Sequence, residues 1–468
     1  MCDEVLLHKA STPQIIANSY LHILNSKPEF LERYDSSVAT KVWLLFRYKL
    51  ISIARVFQAI FDRDQFISGQ NCIKPDVLFV SHLTNKQQLN NNDCDVYFGN
   101  IPSQLLDKNI NSSIVLINHT KVSKAEVLNA NTDGKIPRIL LDSSLDVSSE
   151  IKLFFEQLRS KRKLKFILKE LHVDTVIAKD VLRHQLSSDT FNALRIARKI
   201  ADIVKKNSIK SVVLTYEGHA WERLVFYYVR MVNPDIKCFG YQHAAICEYQ
   251  HAIKRSLHQK YNPDAILTSG LVAKEIFSQR QKNEGTMICI GSTKSLILDL
   301  VIGQRQCCLV VPEGSVSECL VLFEFSLSYA RRYSRQKFIW RLHPLLSFKR
   351  LKKRSAMFKK LPSNIRLSEG SLDGDIQKCD SVLYRGSTSV INAINAGLKP
   401  IYYRQATSEL SIDPIYKYKE GKEIVQSEEE LGYALYKHMD IKTKQSLRKF
   451  AQNFYTPLNL QALIKAIF

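Results

Sequence analysis

The sequence predicts an α/β fold of two domains that face each other across a cleft, preceded by an extra helical segment. Short apolar runs alternate with helix-like segments between residues 77 and 291, a pattern typical of a parallel sheet covered on both faces. The alternation starts again after residue 300, and 468 residues are too many for one ordinary core. We therefore predict a helical segment over 1–70, a first domain over 71–292 and a second domain over 293–468.

The first domain is predicted to begin with short strands and to continue through two long helices. The strands are expected at 77–80, 96–98, 114–117 and 139–141, and the helices, which have basic faces, at 150–171 and 188–206. Later strands are expected in SVVLTYEG, IKCFGYQHA, AILTSG and TMICIGS.

The second domain repeats this alternation of strands and helices. Its strands are expected in CCLVVPEG, KFIWRLHP, NIRLSE, SVLYRGSTS and AGLKPIYY, and its first helix in SECLVLFEFSLSYARRY. About 40 residues at the end of the chain have helical periodicity.

The composition is that of a globular protein with a basic surface. Hydrophobic residues make up 45% and charged residues 24% of the chain, and 67 Lys and Arg against 45 Asp and Glu leave a net charge of +22. Such a charge suits an anionic partner, namely a nucleic acid, an anionic membrane or a phosphorylated substrate, although solubility alone also explains it.

No cofactor or metal is predicted. The sequence contains neither G-x-x-x-x-G-K-[ST] nor G-x-G-x-x-G, and no nucleic-acid-binding module is recognisable. Asp93-x-Asp95 and Asp373-x-Asp375 have the spacing of a magnesium-nucleotide site, but one precedes its strand and the other lies in a polar loop. The ten cysteines are irregularly spaced, which favours reduced, buried thiols in a cytoplasmic protein.

No secretory signal or membrane-spanning helix is predicted. The segment over 41–61 mixes four basic residues with large apolar ones. It has two interpretations: a helix that lies on a membrane surface, or a core helix with a basic edge.

Polar, small or titratable residues directly follow five predicted strands. They are Glu217-Gly218-His219, Tyr241-Gln242-His243, Glu313-Gly314-Ser315, His343-Pro344 and Arg385-Gly386-Ser387-Thr388-Ser389. Because open parallel sheets bind ligands beyond the carboxyl ends of their strands, we expect these residues to line the cleft.

The residues in the second domain suit a phosphate. Gly386 allows close approach of the backbone, and Ser387, Thr388 and Ser389 stand where a helix begins, so that free N–H groups and hydroxyls favour an anion. The same hydroxyls would also serve as an ordinary N-cap. Gly314 and Ser315 repeat the arrangement, and the strand pattern places Arg341 and His343 on one face.

In the first domain, Glu217 is the candidate general base. A carboxylate at the cleft whose pKa is raised by partial burial could deprotonate a sugar hydroxyl, and Gly218 leaves room for the acceptor. Glu217 could instead cap the following helix. His219 and His243 are candidate helpers of the base.

Taken together, the segments YEGHAWER, GYQHA, RLHP and YRGSTSVINAINAGLKPIYY resemble bacterial surface-carbohydrate biosynthesis proteins with a GT-B glycosyltransferase fold, over roughly residues 210–405. Their order is similar to that in bacterial sialyltransferases, polysialyltransferases and capsule Kdo transferases. The resemblance implies that Glu217 is the base and that the phosphate of a CMP-sugar is held by the remaining motifs, here His343, Pro344, Ser387, Thr388 and Ser389.

This resemblance implies a GT-B-like pair of Rossmann-like domains and a cytoplasmic enzyme. We expect an inverting, metal-independent glycosyltransferase with a cytidine-linked donor, a glycan or lipid-linked acceptor and a place on the inner face of the cytoplasmic membrane. Tyr216 departs from the sialyltransferase pattern, which usually has a second acidic residue there. The alternatives are a transferase of CDP-linked polyol phosphate and a non-enzymatic basic protein that binds nucleic acid or membrane.

Overall fold

The computed structural model describes residues 74–468 and, before them, residues 50, 53, 54 and 57. Within 74–468 the gaps are 91–92, 121, 123–125, 127–133, 142–143, 171, 173–181, 183–187, 249, 251, 255–256, 279–285, 295–298, 302–304, 344–345 and 406–410. The helical segment predicted over 1–70, most of the segment over 41–61 and Pro344 therefore lie outside the described residues.

In the described part of the chain, the first domain contains a sheet of seven parallel strands. These are β1 Val77–Leu83, β2 Ser112–Asn118, β3 Arg138–Leu141, β4 Ser211–Thr215, β5 Lys237–Gln242, β6 Ala265–Thr268 and β7 Thr286–Cys289. Their order in the sheet is β3-β2-β1-β4-β5-β6-β7. Every residue of β4 is buried, as expected for a strand covered by helices on both faces.

The second domain contains a parallel sheet of six strands among the described residues. These are β8 Cys307–Pro312, β9 Lys337–Trp340, β10 Ile365–Leu367, β11 Ser381–Arg385, β12 Lys399–Tyr403 and β13 Glu423–Val425. Their order is β10-β9-β8-β11-β12-β13. The predicted α/β class with two parallel-sheet domains is therefore confirmed.

Helices cover both sheets. They are α1 Ile101–Leu106, α2 Val147–Glu170, α3 Ser188–Lys206, α4 Ala220–Val232, α5 Leu271–Ser278, α6 Val316–Arg332, α7 Phe348–Lys352, α8 Leu372–Ile376, α9 Ser389–Asn395, α10 Glu428–Tyr436, α11 Ile441–Gln452 and α12 Leu460–Ile467.

The strand predicted over 96–98 is wrong, because these residues form a turn. The carboxylate of Asp95 accepts the backbone N–H groups of Tyr97 at 2.8 Å and Phe98 at 2.9 Å. The backbones of Asp95 and Gly99 then pair with each other at 2.8 Å. An aspartate that binds the N–H groups that follow it offers the chain a turn in place of a sheet ladder.

The strand order reverses at one place in each sheet. In the first sheet, β1 pairs with both β2 and β4, and in the second, β8 pairs with both β9 and β11. The connections that follow β1 and β4 therefore run in opposite directions, which opens a crevice between them at the carboxyl ends of these two strands. The same holds for the connections that follow β8 and β11. Ligands of doubly wound sheets bind in such crevices at the carboxyl ends of the strands.

The end of the chain returns to the first domain. The Ser211 hydroxyl of β4 donates to the carbonyl of Ile467 at 2.6 Å, and Leu463 joins the core beside β1 and β7. Upstream, the N–H of Asn459 donates to the carbonyl of Ile290 at 2.7 Å. Helix α12 therefore packs on the first sheet, although the division at residue 292, which itself stays a prediction, assigns it to the second domain.

Candidate functional site

The turn after β4 is held rigid by a buried carboxylate. Glu222, in the first turn of α4, accepts the backbone N–H groups of Glu217 at 3.1 Å, Gly218 at 2.7 Å and His219 at 2.8 Å. Gly218 has a φ of +83°, and a Cβ there would lie 2.2 Å from the backbone of Ala252. Only glycine fits this position, so the turn presents the side chain of Glu217 in one direction.

Burial controls the protonation of Glu222. It raises the pKa of this carboxyl to about 7, against the opposing effect of the His219 charge. The carboxyl thus titrates near neutral pH at the base of the candidate site.

Glu217 and two histidines form the centre of the site. Nε2 of His219 lies 3.0 Å from Oε2 of Glu217, and Nε2 of His243 lies 3.9 Å from Oε1. The side chain of Glu217 is 28% exposed, whereas those of the histidines are almost buried. The sequence-predicted base and both helper residues are therefore brought together, and the carboxylate is the group that reaches the solvent.

The pKa values of the two histidines are shifted in opposite directions. Burial lowers the pKa of His219, but the hydrogen bond to Glu217 and the charge of Glu222 outweigh this effect, and the net pKa is raised. Burial lowers the pKa of His243 to about 4, only partly opposed by the charge of Glu217. His243 is therefore a neutral hydrogen-bonding group at pH 7.

Sequence reasoning missed a second histidine pair, at the ends of β1 and β2. Nδ1 of His82 lies 2.8 Å from Nε2 of His119, and Nε2 of His82 lies 3.0 Å from Oγ1 of Thr215. The rings of His82 and Trp221 meet edge to face at 5.3 Å. The signal was present in the sequence, because VLFVSH and IVLINH both place a histidine at the end of an apolar strand.

Tyr97 closes this side of the site. Its ring meets the ring of His243 edge to face at 4.8 Å and that of His82 at 5.5 Å. Burial and then the charge of Glu217 raise the pKa of Tyr97 to about 12, so its hydroxyl stays protonated. The turn at 95–99, which sequence reasoning assigned to a strand, thus supplies a wall of the site.

In the second domain, the end of β8 lies against the loop after β9. A Cβ on Gly314 would lie 3.2 Å from the imidazole of His343, so the missing side chain makes room for this ring. Burial lowers the pKa of His343, which leaves the ring neutral at pH 7 with one N–H to donate. Ser315 caps α6 and accepts the N–H of Glu318 at 3.1 Å.

The loop after β11 is the other side of this crevice. Gly386 has a φ of +70°, and a Cβ there would lie 2.8 Å from Cβ of Glu313. Arg385 is buried and forms an ion pair with Glu318 of α6. The hydroxyl of Ser387 accepts the N–H of Ser389 at 3.4 Å. Thr388 precedes α9 without a capping hydrogen bond from its side chain.

Arg341 is tied to its own domain. Its Nη1 atom lies 2.8 Å from Oδ2 of Asp375 and 2.9 Å from both the Ser368 hydroxyl and the Gly370 carbonyl. Asp375 is therefore an ion-pair partner of Arg341. The binding of a nucleotide sugar by Arg341 stays a prediction.

The two domains influence and contact each other near the candidate site residues. The charge of Glu217, in the first domain, contributes to raising the pKa of Glu313, in the second, after the larger effect of burial. The segment after β5 also reaches the second domain, where Sγ of Cys247 lies 3.5 Å from the carbonyl of Ile412. Because Ile412 also adjoins Gly386, this contact joins the two domains beside one of the predicted site residues.

Among the described residues, no group of three or more His, Cys, Asp and Glu side chains is arranged to hold a metal ion. Asp95 is engaged by the hydroxyl of Ser81 at 2.8 Å, and Asp93 by the N–H of Lys135 at 2.8 Å. None of the described helices has the length and apolar character needed to cross a membrane.

Comparison with known proteins yields structural similarity without sequence similarity. No protein-family model matches the chain, and no curated protein matches its sequence. The glycotransferase of kitacinnamycin is 11% identical over 85% of this chain and 100% of its own, with a TM-score of 0.49. MurG of Acinetobacter baumannii is 10% identical over 84% of this chain and 99% of its own, with a TM-score of 0.46. The UDP-GlcNAc 2-epimerase of Methanocaldococcus jannaschii is 15% identical over 80% of this chain and 98% of its own, with a TM-score of 0.44.

Proposed function

We propose that this protein is an inverting, metal-independent glycosyltransferase of bacterial surface-polysaccharide biosynthesis. Its donor would be a cytidine-nucleotide sugar of the CMP-Kdo or CMP-nonulosonate type, and its acceptor a glycan or a lipid-linked glycan. One observation carries the proposal: Oε2 of Glu217 lies 3.0 Å from Nε2 of His219 where the strand order of the first sheet reverses, and His343 lies beside Gly314 at the corresponding place in the second sheet.

The first crevice supplies a base. Oε2 of Glu217 is held by His219, and Oε1 lies on the side of His243, which is 3.9 Å away. An acceptor hydroxyl placed near Oε1 would give its proton to Glu217 as its oxygen attacks the anomeric carbon of the donor. Neutral His243 and the protonated hydroxyl of Tyr97 would orient the acceptor sugar through hydrogen bonds.

The second crevice would hold the leaving group. As the bond between the anomeric carbon and the phosphate oxygen breaks, negative charge grows on the departing CMP. The neutral ring of His343, for which Gly314 makes room, can donate one hydrogen bond to it. Ser387, Thr388 and Ser389 would add hydroxyl and N–H donors. Arg341 would support the loop of His343 through Asp375.

The enzyme would act in the cytoplasm, on the inner face of the cytoplasmic membrane. A lipid-linked acceptor is available only at that surface, and the net charge of +22 suits the anionic lipids found there.

A thermal-shift panel of CMP, CDP, CDP-glycerol and UDP tests the donor. Because a ligand that binds only the folded state raises the melting temperature, CMP should stabilise the chain, and His343→Ala should lose the effect. His438→Ala, which changes a histidine elsewhere in the second domain, is the control and should keep it. A preference for CDP-glycerol would instead indicate transfer of a polyol phosphate, and stabilisation by UDP alone would exclude both donors.

A further inference from the structure

Helix α2 presents an outward face that combines large apolar side chains with basic ones. Its buried residues are Glu150, Leu153, Gln157, Leu164 and Leu168, which define the inner side of the helix. On the opposite side, Ile151 is 44%, Phe155 56% and Phe166 65% exposed. At 100° per residue these three side chains point away from the buried stripe, so packing among the described residues of the first domain does not account for them.

The charge on the same helix is strongly one-sided. Between residues 151 and 170 it carries Lys152, Arg159, Lys161, Arg162, Lys163, Lys165 and Lys169 against Glu156 and Glu170. Arg159 and Arg162 lie between Phe155 and Phe166 in the sequence and project to the same side as these phenylalanines. An outward face of apolar side chains set among cations is the pattern of a helix that lies in a membrane interface.

We propose that this face, defined by Ile151, Phe155, Arg159, Arg162 and Phe166, docks the protein on an anionic lipid membrane. The phenylalanines would enter the boundary between headgroups and acyl chains, and the arginines would contact lipid phosphates. A nucleic acid is the weaker fit, because a phosphate backbone offers no apolar phase in which Ile151 and both phenylalanines could be buried. The inference deepens the proposed membrane location and rests on that part of the proposed function.

The length and position of the helix suit this role. The 24 residues of α2 span about 36 Å, and Phe155 and Phe166 are about 16 Å apart along the axis, so both can touch one flat surface. The helix follows β3, so its first turns, with Ile151, lie toward the carboxyl edge of the sheet, where Glu217 stands. A lipid-linked acceptor anchored under α2 would thus be near the proposed base.

Ion pairs attach helix α2 firmly to helix α3 of the first domain. Arg195 of α3 donates to both carboxylate oxygens of buried Glu150, at 2.7 Å and 2.8 Å. Arg198 of α3 forms an ion pair with Glu156. The helix would therefore transmit a docked orientation to the domain as a rigid element.

The test is sedimentation of the full chain with vesicles of phosphatidylcholine alone or with about 30% phosphatidylglycerol. We expect binding to the anionic vesicles only, weakened by salt. Phe155→Ser with Phe166→Ser should lower the partition coefficient at least about tenfold, and Arg159→Glu with Arg162→Glu should do the same. The control is Tyr433→Ser with Tyr436→Ser, which removes two aromatic side chains that are 69% and 66% exposed on α10 and should change nothing.

Four results would overturn the proposal. In the first, the wild-type chain binds neither kind of vesicle. In the second, the α2 variants bind like the wild type, which would place any docking elsewhere, such as the segment over 41–61. The phenylalanine variant could lose thermal stability or change its oligomeric state without losing vesicle binding, which would mean that protein covers this face. Binding of an oligonucleotide with a steep salt dependence, and not of vesicles, would indicate a nucleic-acid partner. The CMP thermal shift is read independently, so failure of docking and failure of the proposed chemistry are distinguishable.

Discussion

Nε2 of His219 lies 3.0 Å from Oε2 of Glu217, at the point where β4 ends and α4 is about to begin. The imidazole holds one carboxylate oxygen, and the side chain of Glu217 stays 28% exposed. A general base needs this combination of a fixed orientation and access to solvent.

Replacement of Glu217 by Gln tests the base directly. The amide keeps the shape of the side chain but cannot accept a proton, so sugar transfer should fall about 100-fold to 10,000-fold. The thermal shift with CMP should stay unchanged, since Glu217 belongs to the other crevice. Glu429→Gln, at an exposed position of α10, is the control. Transfer at a near wild-type rate would show that Glu217 is not the base.

Glu222→Gln should change how stability depends on pH. Burial raises the pKa of Glu222 from 4.5 to about 7 in the folded chain, so its contribution to stability is fully present below about pH 4.5 and is lost as the pH rises through about 7. Glutamine does not ionise. The free energy of unfolding of the variant, measured by urea denaturation, should therefore improve relative to the wild type between pH 5 and pH 8. A constant difference over this range would contradict the assignment.

Gly386→Ala should destabilise the second domain and weaken donor binding. The position has a φ of +70°, and the new Cβ would lie 2.8 Å from Cβ of Glu313 and 2.9 Å from Cδ1 of Ile412. The left-handed conformation alone costs about 1–2 kcal/mol for a residue with a Cβ. Gly370→Ala is the matched control, because nothing lies within 4 Å of its added Cβ. Equal unfolding free energies for the two variants would refute the prediction.

Arg341 and Asp375 should behave as a coupled pair. The side chain of Asp375 is only 4% exposed, so Arg341→Met leaves a buried carboxylate without its cation and should cost about 3 kcal/mol or more. Adding Asp375→Asn should recover part of this loss in urea denaturation. A double-mutant cycle without coupling would mean that the ion pair does not stabilise the domain.

The predictable part of the site rests on local chemistry. A carboxylate, glycine and histidine after an apolar strand could be placed at a strand end from sequence alone, because strand ends and helix starts are local features. Glu217, His219 and His243 are accordingly found together. The histidines of β1 and β2 could not be added in the same way, since His82 meets Thr215 only when strands 133 positions apart become neighbours.

The ion-pair partner of Arg341, by contrast, could not be predicted from the sequence. The RLHP pattern places it beside His343, but its partner Asp375 lies 34 positions later in the sequence, beyond a helix and a strand. No local sequence pattern predicts such a pairing, because the partner of a side chain can be any group that the fold brings within reach.

By itself, the sequence determined the α/β class, the alternation of strands and helices in two domains, and the strand ends that carry polar residues. These follow from hydrophobic periodicity and turn chemistry, which act over a few residues. Only the tertiary structure decided the strand order, the turn that brings Tyr97 to His243, the return of α12 to the first sheet and the apolar, basic face left outward on α2. Each of these depends on contacts between distant parts of the chain, whose free energy is gained only once the sheets are assembled.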